Sequence, residues 1–328
     1  MYKNGYKDSS WLCLIASLLQ KNPKFACEGA SESAELVTKA HLSLTGASGK
    51  VGLYFDKDNN KWYLPIGEAP STHIVKQSHV RYKRIVANEQ LCLLTAGNLG
   101  IDTSKSFIVT TYGNDEEAIL LATERYDRIL NEEKCIGNLN APYRLHQEDF
   151  AQALGIAASD KYEKKADEHI KLIFDLIRRY SADPLTDSMK LWDICVFNYL
   201  VGNTDNHIKN ISLLYSENLK SVRLAPAYDL VSTVVYKSSA ENMAFSIDGI
   251  YSINDICRKS FENAAVKAGI GSTMAMRRFD KMVSDFENAL MLAKEELISN
   301  GFDQAYQISN LIMKNGGIAK ELRRLRQK

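Results

Sequence analysis

The six cysteines of this 328-residue chain include no C-x-x-C pair; Cys13, Cys92, Cys195 and Cys257 sit in apolar stretches, whereas Cys27 and Cys135 do not. The missing pairs argue against a zinc site or a disulfide scaffold and for reduced thiols in a cytosolic protein. An excess of one charge is missing too, since 41 Lys+Arg face 40 Asp+Glu for a formal charge of +1. No global field therefore draws the chain to nucleic acid or to an anionic membrane. Long hydrophobic runs are also absent near the start: Trp11 to Leu19 falls well short of the roughly 20 residues that cross a bilayer. The basic region before it is weak and interrupted by Asp8, which speaks against a secretory signal and for a buried N-terminal helix. No repeat or low-complexity linker appears. With 45% hydrophobic and 25% charged residues, the composition is that of a globular protein of one large or two linked domains, not of a disordered, collagenous or coiled-coil chain.

From Lys50 onward the pattern has period two. Val51, Leu53 and Phe55 alternate, the polar run Asp56 to Asn60 makes a turn, and Lys61 to Leu64 returns, which predicts a hairpin. Further strands are expected at Thr72–Lys76, Phe107–Tyr112 and Ala118–Thr123, and a helix over Ala87–Leu99 that stops at Gly100. After about residue 128 the period becomes helical. Ile170, Ile173, Leu176, Ile177 and Tyr180 form one apolar stripe; Met282, Val283, Phe286, Leu290, Ala293 and Leu297 form another. Leu191–Val201 is apolar almost all round and ends at Gly202, as a central buried helix would. It leads into the polar cluster Asn203 to Asn210, a short strand (ISLLY), a turn, and a second strand (VRLAPAYDL) carrying Asp229. The basic tail KELRRLRQK reads as a solvated, fraying helix end, with partner contact as the alternative.

Polar groups this dense between apolar elements are costly unless they meet ligands, metal or each other. Asp205, followed five positions later by Asn210 and then by Asp229 on the next hairpin, has the spacing logic of a kinase catalytic loop and its metal-binding Asp. The first carboxylate would accept the proton of an attacking hydroxyl. The amide and the second carboxylate are the hard oxygen ligands that Mg²⁺ takes. A capped, hydrogen-bonded turn would use the same residue types. Upstream, a kinase needs a flexible loop, a strand lysine and a helical carboxylate in that order, and Thr45-Gly46-Ala47-Ser48-Gly49-Lys50, Lys76 and Glu89 supply them. The loop is too short for a Walker A motif and lacks its strand-then-helix setting.

The segments SLTGASGKVGL (43–53), PIGEAPSTHIVK (65–76), NEQLCLL (88–94), ATERYDR (122–128), LHQEDFAQALGI (145–156), FNYLVGNTDNHIKNISLL (197–214) and LAPAYDLVST (224–233) make the chain resemble the HipA-type serine/threonine kinase toxins. The likeness runs from about Ser43 to the last helices. It implies an α+β, two-lobed kinase-like fold with ATP in the cleft: an N-lobe over 1–126 with an antiparallel sheet and one helix, and a mainly helical C-lobe over 127–328. It implies Lys76 on the nucleotide phosphates with Glu89 positioning it, Gly46, Ala47, Ser48 and Gly49 folding over the phosphates, and Glu124 and Tyr126 offering hinge backbone to adenine. Asp205 would be the catalytic base, Asn210 and Asp229 the Mg²⁺ ligands, Lys209 a neighbour of the transferred phosphate and His207 a residue shaping the loop. Gln147, Glu148 and Asp149 are expected to be structural or substrate-side.

Only some forty residues precede the glycine-rich loop here, where HipA carries about a hundred. In this the chain is similar to the short HipT kinases of three-gene (HipBST-like) systems, in which a separate small HipS-like protein supplies the missing subdomain. The resemblance further implies a helix-turn-helix antitoxin partner, DNA contact only through it, no membrane contact, and a protein substrate, with an aminoacyl-tRNA synthetase as the class suggested by relatives. Ser43 and Thr45 fall where the family autophosphorylates. Phosphate there adds about −1.5 to −2 charge beside ATP phosphates, which predicts self-inhibition. The alternatives are a lipid or small-molecule kinase, prompted by the D-x-H-x-x-N pattern, and a nucleotide-binding pseudokinase.

Overall fold

The computed structural model describes residues 5–8 by their backbone alone, and residues 50–77, 82–110, 119–130, 133–237 and 239–327 in full. The chain divides into two compact units, residues 1–86 with 104–145, and residues 87–103 with 146–328.

The first unit is built on an antiparallel sheet of β1 (Gly5–Asp8), β2 (Lys50–Asp56), β3 (Lys61–Ile66), β4 (His73–Gln77), β5 (Ser106–Thr110) and β6 (Ile119–Glu124), in the order β1-β3-β2-β4-β6-β5. The expected hairpin is β2–β3. Its turn closes because the Asp56 carboxylate accepts from the N–H groups of Asp58 and Asn59, and Asn60 takes the left-handed φ of 51°. Strand alternation puts Val51, Leu53, Trp62, Leu64, Val75, Leu120 and Ala122 on one buried face with Phe55 and Val109 against it. Lys76, next to Val75, alternates to the other face.

The second unit carries α1 (Ile85–Asn98) from Ala87 onward, α2 (Glu168–Tyr180), α3 (Pro184–Val201), α4 (Arg258–Lys267), α5 (Ser272–Ser299), α6 (Gln304–Asn315) and α7 (Gly317–Arg326). It also holds the antiparallel strands β7 (Gln147–Asp149), β8 (Ser212–Tyr215) and β9 (Val222–Leu224), and the pair β10 (Asn242–Ile247) and β11 (Ile250–Ser252). The central helix α3 starts with Pro184 behind an Asp183 cap and stops at Gly202. Fourteen of its side chains are buried, among them Trp192, whose indole N–H donates to Ala275 O at 3.0 Å. The expected α5 stripe, Met282 through Leu297, is buried throughout.

Several expectations change. A single boundary after residue 126 is not how the contacts divide: residues 87–98 of α1 cluster with the second unit, because the Asn88 amide donates to Ser232 O and accepts from Ser232 N, and Asn98 donates to Ala289 O. Residues 127–145 cluster with the first unit. Tyr180, the last member of the α2 stripe, is 54% exposed at the helix end. The tail is a docked helix: Glu321 is buried and accepts from the Tyr199 hydroxyl, and Lys320 donates to the carbonyls of Asn254 and Ile256. Of the cysteines expected to be buried, Cys257 is only half-buried, at the start of α4, while Cys92 and Cys195 are fully enclosed. The Trp11–Leu19 segment lies outside the described residues. Among the described residues no helix is long and apolar enough to cross a membrane.

Candidate functional site

The polar cluster predicted after the buried helix is a tight loop held at both ends. Gly202 adopts φ 74°, and a Cβ there would lie 2.4 Å from Val234 Cγ2. Both the turn and the close approach require glycine at this point. The Gly202 carbonyl accepts from the N–H groups of Thr233 and Val234, and Thr204 is tied to Thr233 twice, by its N–H at 2.9 Å and between hydroxyls at 2.7 Å. Asn203, fully buried, donates to Asn198 Oδ1 and accepts from the Asp205 N–H. A 3₁₀ turn over Ile208–Asn210 then feeds β8.

Asp205 is the exposed residue of this turn; Asn203, Thr204, Asn206, His207 and Ile208 are buried, and Lys209 and Asn210 are half-buried. One of its oxygens, Oδ1, accepts from the Tyr162 hydroxyl at 2.7 Å, and its backbone carbonyl accepts from Asn210 Nδ2 at 3.1 Å. That last bond uses the amide nitrogen of Asn210 and does not engage its amide oxygen. Lys209 donates to Asp149 Oδ2 at 2.6 Å, while Asp149 also caps the helical turn Phe150–Ala153. His207 lies 2.8 Å from Lys161 Nζ through its Nε2. Because an ammonium only donates, Nε2 accepts and the ring proton sits on Nδ1, which is buried without a partner among the described residues, as is Asn206 Nδ2. Burial, followed by the Lys161 charge, holds the imidazole below its ordinary pKa, while the carboxylates of Asp205 and Asp229 act in the opposite direction. Asp205, His207, Lys209, Asn210 and the field of Asp229 thus come together.

Asp229 reaches this place by a route the sequence pattern did not indicate. The strand expected to carry it ends at Leu224, since Pro226 has no N–H to give the ladder and Ala227 N turns aside to Asp102 O. Asp229 instead sits in a loop with φ 56°, a left-handed conformation that Asp tolerates better than most residues. Its neighbour Tyr228 reaches the same loop, its hydroxyl donating to Lys209 O and pairing with Ser212 Oγ. Among the described residues no three His, Cys, Asp or Glu side chains form a metal cage. An amide oxygen and a carboxylate are donor types that Mg²⁺ accepts when phosphates and waters complete its shell, so the chemistry of the Asn210 and Asp229 side chains suits that ion.

In the first unit, Lys76 pairs in register with Lys50 of β2 and Leu121 of β6. The Glu124 side chain pairs with Lys57 at 3.0 Å, and its N–H is already committed to Lys105 O. Tyr126 is half-buried beside it. The ERYDR motif also builds a buried knot: Asp127 accepts from Arg125 Nε at 3.0 Å and Nη2 at 2.9 Å and from Arg128 Nη1 at 2.7 Å. Burial would raise the Asp127 pKa, but these guanidinium contacts outweigh it and hold the carboxyl below its usual range. Glu89 of α1 belongs to the second unit and is buried. Ser43, Thr45, Gly46, Ala47, Ser48 and Gly49 lie outside the described residues.

Lys161, Tyr162, Asn203, Tyr228 and Thr233 were not singled out in the sequence, and Asp149 was placed there only broadly. Lys161 and Tyr162 stand in SDKYEKKADE, where charge without period reads as loop.

A profile of the HipA-like C-terminal domain family matches residues 42–290. Over 282 residues the chain is 33% identical to Sinorhizobium fredii Y4mE, provisionally named a kinase, covering 86% of this chain and 64% of that protein. It is 29% identical over 245 residues to the serine/threonine-protein kinase toxin HipA of Shewanella oneidensis, covering 71% of this chain and 52% of the toxin. The chain therefore spans between about half and two thirds of these relatives' length. The solved structure of Shewanella oneidensis HipA with HipB and operator DNA superposes with a TM-score of 0.69 at 24% identity, over 83% of this chain and 64% of that one. The α+β fold described above is the HipA fold.

Proposed function

We propose, because this chain belongs to the HipA-like C-terminal domain family, that it is a Mg²⁺-ATP-dependent protein serine/threonine kinase and the toxin of a toxin–antitoxin system. The observation that carries the reading is the catalytic-type loop, where an exposed Asp205 stands beside the half-buried Lys209 and Asn210 in a turn tied to Thr233 and Asn198, with the Asp229 carboxylate acting on the same His207. Asp205 is the base that takes the acceptor hydroxyl's proton, and its exposure leaves it open to a protein side chain. Asn210 and Asp229 hold the metal, which supplies charge neutralisation at the phosphates. Lys209, anchored by Asp149, brings positive charge beside the transferred group. Lys76 binds the nucleotide phosphates, Glu89 positions it, Glu124 and Tyr126 meet the adenine, and Gly46, Ala47, Ser48 and Gly49 form the covering loop. A helix-turn-helix antitoxin, and a small HipS-like protein in the manner of HipT systems, are the partners this reading assigns.

Mass spectrometry of the purified chain, incubated with Mg²⁺-ATP beside Asp205→Ala and Asp229→Ala, tests it. Phosphate is expected on Ser43 or Thr45 in the parent alone, with transfer to lysate proteins reduced about 10²–10⁴-fold in the variants and their melting temperature unchanged. Absence of transfer by the parent, or full transfer by either variant, overturns the assignment. Ser43→Asp with Thr45→Asp is expected to lose ATP affinity; unchanged affinity refutes the self-inhibition.

A further inference from the structure

Two side chains from outside the loop sit on its two reactive-looking groups. Tyr162 donates to Asp205 Oδ1 at 2.7 Å, and Lys161, the preceding residue, donates to His207 Nε2 at 2.8 Å. The Tyr162 ring stands edge-on to the imidazole at 5.5 Å and 77°, and Lys161 Nζ lies 4.9 Å from the centre of the Tyr162 ring. These contacts link the four groups in one chain, Asp205 to Tyr162 to His207 to Lys161.

The set is presented from a fixed point. Glu163, the next residue, bonds through its N–H to Ala244 O at 3.1 Å; its carboxylate accepts from Ser246 N at 2.6 Å and from His169 N at 2.8 Å. One side chain thus ties the segment to β10 and to the first turn of α2, a helix whose N-cap residue, Asp167, makes no side-chain cap bond. Such an anchor gives Lys161 and Tyr162 little freedom. An exposed tyrosine, at 46%, does not need a partner for its hydroxyl, because water supplies one. Its bond to a carboxylate is therefore a matter of placement rather than of burial.

We infer that Lys161 and Tyr162 are a positioning clamp for the catalytic loop: Tyr162 occupies Oδ1 of Asp205 so that Oδ2 faces the acceptor hydroxyl, and Lys161 fixes the ring of His207 behind it. The inference rests on the kinase reading for its catalytic consequence, but the clamp itself is a property of the folded loop. A base must lie within hydrogen-bond reach of the proton it abstracts, and small displacements cost large factors in rate. The opposing possibility is a plug, in which the Tyr162 hydroxyl fills the acceptor's own place and must leave.

Tyr162→Phe removes the hydroxyl and keeps the ring against His207; Lys161→Met removes the charge and keeps most of the stem. In nucleotide-free full chain, each is expected to raise amide hydrogen exchange over residues 203–210 by about 5-fold, the weight of one hydrogen bond of ordinary net strength, with α5 unchanged. Unchanged exchange in both overturns the clamp, whether or not the protein transfers phosphate. In turnover, Tyr162→Phe is expected to lower kcat about 10–100-fold while the KM for ATP stays close to the parent value. A kcat equal to the parent's overturns the positioning role, and a higher one makes the hydroxyl a plug. A parent chain with no phosphotransfer removes the kinase reading, and the exchange result then decides the clamp by itself.

Discussion

His73 shows how one buried side chain ties stability to pH. The ring is 1% exposed among Phe55, Trp62 and Phe107, its Nδ1 lies 2.8 Å from Thr72 Oγ1 and its Nε2 has no partner among the described residues. Burial, only partly opposed by Glu124, takes its pKa from 6.5 down to about 4. With the folded value depressed, the neutral ring's contribution is complete above pH 6.5 and is lost on acidification towards pH 4, where the unfolded chain binds the extra proton. On the order of 3 kcal/mol is at stake over that window. Urea unfolding of parent and His73→Phe at pH 4.5 and 7.5 measures it: the parent should lose stability and the variant should lose much less. Asp127 acts lower on the scale. Its depressed folded pKa makes its contribution present above the ordinary carboxylate value and lost as pH falls through the folded one. Asp127→Asn leaves two buried guanidiniums without a counter-charge, so a loss of about 3–5 kcal/mol at pH 7 is expected in the same assay. The motif letters were legible in the sequence, but their closure into an ion-paired knot was not.

At the scale of elements, the turn from α3 into the catalytic-type loop is the place where geometry is most exacting. Gly202→Ala meets both a left-handed φ of 74° and the Val234 side chain at 2.4 Å. A destabilisation of about 2 kcal/mol or more is expected, with loss of whatever activity the loop carries; an unchanged melting temperature would contradict it. Helix α3 itself was readable, because an apolar run with a glycine stop needs only local information. The β2–β3 hairpin was readable for the same reason, period two followed by a run of turn residues. The end of β9 was not, since an apolar VRLAPAYDL looks like strand until Ala227 N is seen bonded to Asp102 O instead of to a ladder partner. The tail matches its expected solvated helix end only in part: Arg323, Leu325, Arg326 and Gln327 are exposed, yet Glu321 is buried because Tyr199 and Arg324 are there to meet it.

For the whole molecule, near-equal charge of both signs bears on its partners. A chain of net charge +1 has little to offer the phosphate backbone, so the purified protein alone is expected to show no tight duplex binding at physiological salt in a mobility-shift assay. A salt-sensitive nanomolar complex without any partner protein would refute this. The sequence by itself determined the HipA-like family, the α+β class, the strands and helices with clean periods, and the cluster Asp205 to Asn210, because each is written in residues close together along the chain. The tertiary structure alone decided which unit takes α1, where β9 ends and how Asp229 turns back, and that Tyr162, 43 positions away, bonds to Asp205. Such pairings follow from which surfaces pack and which polar groups must be met once water is excluded, and neither leaves a period or a spacing in the sequence.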